Sequence, residues 1–137
     1  MEFTTKSNVK AVINPAGLNK AFRLKSAVEN ALLKQNINIF DVLGKGEISY
    51  EDVFHLAMVI DSDTEVFEAC FDCLEKSVYN GVKITQEVFE DENARGDLYE
   101  VLFYCLKVNV YPFFKSLLSS FGTGVLGTGI GEDLKSI

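Results

Sequence analysis

From Leu18 onward, apolar residues recur at spacings of three and four: Leu18, Phe22, Leu24, Val28, Ala31 and Leu32, with Lys20, Arg23, Lys34 and Gln35 on the other side. That period predicts a first helix over about residues 18–36. Ser49 followed by Asp52 predicts a second helix start, running to about Ile60. The Ser62-Asp63-Thr64-Glu65 capping box opens a third helix over about 63–79, with Val66, Phe67, Cys70, Phe71, Leu74 and Val78 as its buried stripe. Asn80-Gly81 is a turn signal, and a short helix after it ends in the acidic loop Glu90-Asp91-Glu92-Asn93. A last long helix begins near Ala94–Asp97 and carries Leu98, Val101, Leu102, Cys105, Leu106 and Val108. Pro112 lacks an N–H and clashes one turn back, so this helix is kinked or divided there. Phe113, Phe114, Leu117, Leu118 and Phe121 continue the stripe beyond it.

The two ends carry no such period. Residues 1–16 read as a loose segment closed by the turn Asn14-Pro15-Ala16-Gly17. Residues 122–137, GTGVLGTGIGEDLKSI, hold five glycines and read as a flexible tail, because ordering glycine costs more entropy than ordering any other residue. The prediction is an all-α single domain of five to six helices over 17–121. It leaves room for one short two-stranded pairing around Ile48 and Ile84, each of which follows a glycine turn and precedes a hydroxyl residue, an acid and Val-Phe.

Composition narrows the function classes. With 137 residues and 47% apolar content, one domain with a real core is expected. No apolar run is long enough to span a bilayer and no secretory leader is seen at the start, so a cytoplasmic protein is expected. The net charge of −7 is uneven: residues 1–40 sum to +4 and residues 41–105 to −12. An acidic body argues against nucleic acid, whose binding rests on Lys and Arg at phosphates. The asymmetry allows a protein partner or head-to-tail self-association, or simply solvated helix faces.

Residues 41–54, DVLGKGEISYEDVF, have the frame of an EF-hand, with Gly46, Ile48 and Asp52 at its sixth, eighth and twelfth positions. The ligands do not follow. Leu43 stands at the third position with no side-chain oxygen, and Lys45 at the fifth puts a cation where Ca²⁺ would sit. The stretch reads as a glycine turn, a buried Ile48 and a Ser49 cap.

Other chemistry is thin. Cys70-Phe71-Asp72-Cys73, Cys105 and the lone His55 supply a Cys₃His zinc set by count, but the C-x-x-C lies inside a helical stripe, where free cysteines act as small hydrophobes. No P-loop, HExxH or GxSxG motif occurs, and no acid–base pair or triad stands out, so no enzyme, metal or cofactor is expected. The aromatic cluster around Pro112 points instead to protein association. Tyr111, Phe113, Phe114 and Leu117 are the candidate partner-binding residues, with burial in the core as the competing reading.

The segments Tyr79-Asn80-Gly81-Val82-Lys83-Ile84-Thr85 running to Phe89, Ala94-Arg95-Gly96-Asp97-Leu98-Tyr99-Glu100-Val101, and Leu106 to Leu118 resemble tail assembly chaperones of long-tailed bacteriophages and prophages. The likeness covers roughly residues 15–121. It implies a non-enzymatic protein of the infected host cell, absent from the mature virion. Such a protein binds the tape measure protein, keeps it soluble and helps recruit tail tube subunits. The resemblance also implies a frameshifted, longer product, for which the glycine-rich tail is the natural junction. The alternative is an EF-hand-like helical interaction adaptor that binds no calcium.

Overall fold

The computed structural model describes residues 1–37 and 57–115. Ile48, the EF-hand-like stretch, His55, Leu117 and the glycine-rich tail lie outside these residues.

Among the described residues, three longer helices carry most of the core. Helix α1, Leu18–Lys34, buries Ala21, Leu24, Ala27, Val28, Ala31 and Leu32. Its end is fixed by Asn36 at φ 56°: the Asn36 N–H reaches the Leu33 carbonyl and the Ile37 N–H the Leu32 carbonyl. This is a Schellman closure with asparagine in the left-handed position. Residues 57–62 are helical, and helix α2, Thr64–Cys73, packs against α1. Asp63, rather than Ser62, caps α2, its side chain accepting from the N–H groups of Glu65 and Val66. Ser62 turns back one helical turn, its hydroxyl donating to the Met58 carbonyl. After the 3₁₀ helix Gln86–Glu90 comes the short α3, Glu92–Arg95, capped by Asp91. Helix α4, Leu98–Asn109, packs on α1 and α2 through Val101, Leu102, Cys105 and Leu106. It is divided from the helical residues 111–115 at Val110, where Pro112 breaks the ladder as expected.

The all-α description is only approximate. A four-stranded antiparallel sheet in the order β1-β2-β3-β4 combines Glu2–Thr4, Lys10–Val12, Val78–Tyr79 and Val82–Lys83. The N-terminal segment expected to be loose is therefore a hairpin, with Phe3 opposite Ala11 and Ala11 opposite Tyr79. Ala11 and Ile13 alternate inward and are fully buried, which explains why so short a strand holds. Val78, expected on the third helix, is instead in β3. Asn80 and Gly81, at φ 53° and 77°, form a two-residue turn with both residues at positive φ, the geometry that lets β3 and β4 pair.

A buried carboxylate fastens the hairpin. Asp97, 1% exposed at the start of α4, accepts hydrogen bonds from Tyr79 Oη (2.6 Å), Thr5 Oγ1 (2.8 Å) and Ser7 Oγ (2.9 Å). Burial pushes its pKa up, but the donors from Tyr79, Thr5 and Ser7 outweigh burial and leave it below the ordinary value. Tyr79 is raised by burial and then by the carboxylate beside it.

Candidate functional site

The first helix departs from expectation on one face. Leu18 is 70% exposed and Phe22 52% exposed, although both fall on the apolar repeat. The buried face is instead set by Ala21, Leu24 and Val28, and the repeat is wider than the neighbours that cover it. Leu18 and Ala21 border an open cleft of about 450 Å³, whose other walls are Pro15 and Ala16 from the entering turn and Val108, Asn109, Pro112 and Phe113 from the far end of α4.

Side-chain hydrogen bonds hold the entering turn in place. The Asn14 N–H donates to Ser77 Oγ (3.0 Å) and Asn14 Nδ2 to the Lys76 carbonyl (2.8 Å). The Ala16 N–H donates to Asn109 Oδ1 (2.8 Å), while Asn109 Nδ2 donates to the Cys105 carbonyl (3.0 Å). Asn109 is a buried polar residue with its amide hydrogen-bonded on both sides, which ties the entering turn to the end of α4. The Phe22 ring stands edge-on to Phe113, and Lys25 lies over both Phe22 and Phe114.

The predicted partner-binding residues divide in this setting. Phe113 is half-buried and lines the cleft, whereas Tyr111 is half-buried and is not one of its walls. Phe114 is 3% exposed and belongs to the core. Sequence reading missed Leu18, Ala21 and Phe22, which lie about ninety residues from Phe113 and join it only through the packing of α1 on α4.

The charge asymmetry is partly closed within the chain. Lys20 pairs with Glu75 (2.5 Å), Arg23 with Asp72 (3.5 Å) and Lys34 with Asp63 (3.9 Å), each linking α1 to α2 or to its flanking residues. The thiols Cys70, Cys73 and Cys105 are free and buried. The Cys105 thiol beside it and burial raise the Cys73 pKa; the neighbouring Cys70 does the same for Cys105. Both stay protonated and act as core groups. Among the described residues, no three His, Cys, Asp or Glu side chains are grouped to hold a metal ion, and no helix is long and apolar enough to cross a membrane.

The arrangement is a fixed apolar cleft with exposed aliphatic and aromatic edges. It offers contact area for another chain and no grouping of reactive side chains. No curated protein and no solved structure matches the chain. Residues 16–122, which include every wall of the cleft except Pro15, match the family model described as phage tail assembly chaperone protein, and the chain belongs to that family.

Proposed function

We propose that this chaperone binds the tape measure protein in the host cytoplasm, keeps its long apolar helices soluble and helps recruit tail tube subunits, without catalysing a reaction. The observation that carries the reading is the cleft itself: Leu18 and Phe22, left exposed on α1, adjoin Phe113 inside the segment that matches the family. Apolar residues that a stable monomer would be expected to cover, gathered at one place, are what a helix-in-groove partner uses. The net charge of −7 supports the same role, since it keeps the chaperone and its client dispersed.

Direct contact is assigned to Phe113, with Leu18 and Phe22 added, and Tyr111 stands outside the walls of the cleft. Phe114 supports the wall from the core. Co-expression of the tape measure protein with the wild-type chain or with a Phe22→Ser/Phe113→Ser variant tests this. The client is expected in the soluble fraction with wild type and in the pellet with a variant that remains folded. A client equally soluble with both would remove the cleft from the function.

A further inference from the structure

The two walls of the cleft differ from the rest of the chain in charge. Residues 14–28 and 101–115 contain Lys20, Arg23, Lys25, Lys107 and Lys115 and no Asp or Glu, in a protein of net charge −7. Lys20 and Arg23 turn away toward Glu75 and Asp72 on the far side of α1. Lys107 lies over the Tyr104 ring. Lys25, one turn beyond Ala21 on α1, is already paired with Glu29 at 2.5 Å and lies 5.1 Å from the Phe22 ring centroid, so like Lys20 and Arg23 it is engaged within the chain. Of the cations on these two stretches, Lys115 remains. Lys115 follows Pro112 by three residues, which places it on the same side of that helix. It is exposed and makes no ion pair with a described residue.

We propose that the cleft takes an amphipathic helical segment of the client whose apolar stripe is flanked by Asp or Glu. This rests on the chaperone reading and adds the chemistry of the segment bound. Leu18, Ala21, Val108 and Phe113 meet the apolar stripe, and Lys115 at the rim meets a carboxylate beside it. The net charge of −7 disfavours such a segment over most of the chain, and these acid-free walls lower that repulsion locally. The charge pattern therefore gives register and selectivity, while the apolar contacts hold the segment.

The test uses the full chain and two labelled synthetic helical peptides with one Leu/Ala stripe, flanked by Glu in the first and by Lys in the second. Fluorescence anisotropy is expected to give about tenfold tighter binding for the Glu peptide at low salt, with the difference shrinking as salt screens it. A chain of net charge −7 draws the Lys peptide non-specifically, so a preference for Glu reports the local site. Lys115→Glu should weaken the Glu peptide about fivefold without moving the melting temperature, as befits an exposed charge at the rim. Leu18→Asp, also at an exposed position, should abolish binding.

Equal or tighter binding of the Lys peptide, binding of neither peptide, or no effect of Lys115→Glu each overturns the proposal. If Leu18→Asp instead changes the sedimentation of the free chain and peptide binding is absent, a second copy of the chain covers the cleft and the proposal also fails. The chaperone reading fails separately, when the wild-type chain leaves the co-expressed tape measure protein insoluble.

Discussion

The Phe22 ring meets the Phe113 ring edge to face, with centroids 6.0 Å apart and planes at 87°. This contact joins the first helix to the segment after Pro112, beside the cleft that Phe113 lines. Aromatic pairs in this arrangement are worth about 0.5–1.5 kcal/mol beyond the area they bury. Its exposed half is available to a partner.

Phe113 and Phe114 are therefore expected to respond differently to truncation. Phe114→Ala removes a core ring and should cost about 3–5 kcal/mol. Phe113→Ala removes a half-buried one and should cost about 1–2 kcal/mol. Urea unfolding of the two variants measures the difference, and similar losses would place Phe113 in the core as well.

Asp97 gives a stability that depends on pH. Its folded pKa lies below the ordinary value, so its contribution is complete above the carboxylate range and is lost as pH falls through that range to the folded value. Asp97→Asn should cost about 2 kcal/mol near neutral pH, and the gap to wild type should narrow below about pH 4. Thermal unfolding across pH reads both effects. Amide exchange should show the protection of β1 and β2 falling first, because Thr5 and Ser7 lose their shared acceptor.

Two glycines separate backbone strain from space. A Cβ at Gly17 or Gly81 would meet nothing within 4 Å, but only Gly81 has positive φ, at +77°. Gly81→Ala should therefore destabilise by about 1 kcal/mol, through the turn alone. Gly17→Ala should change stability by no more than about 0.5 kcal/mol, because the gain through the unfolded chain is offset by a poorer N-cap for α1. Paired melting curves decide it.

The three thiols should resist modification while the fold is intact. Cys70, Cys73 and Cys105 are buried, and the last two are held protonated. Labelling by a thiol reagent is expected to proceed only on unfolding, and fast labelling of the native protein would show that the packing between α2 and α4 opens.

Local signals were readable and distant ones were not. Asn80-Gly81 announced its turn because two positive φ angles demand such residues, and Pro112 announced the break because its chemistry acts within one turn. The strands were missed because two or three residues are too few to display a period of two. Asp63 and Ser62 are neighbours that can both cap, and only the direction of the entering chain chooses Asp63. Leu18 and Phe22 lie on the right period for burial, but periodicity gives the width of an apolar stripe and says nothing of what covers its edge. The Asp97 cluster draws on Thr5, 92 residues away, which no local pattern encodes. Half of the cleft, around Phe113, was legible for the same reason that its other half on α1 was not.

The central claim is that the client occupies the cleft between α1 and the end of α4. Backbone amide shifts of the isotope-labelled chain, recorded on adding a soluble fragment of the tape measure protein, test it most directly. The account predicts changes concentrated at Ala16, Leu18, Ala21, Phe22, Val108 and Phe113. Changes confined to the acidic stretch 86–95, with the cleft residues unmoved, would contradict it.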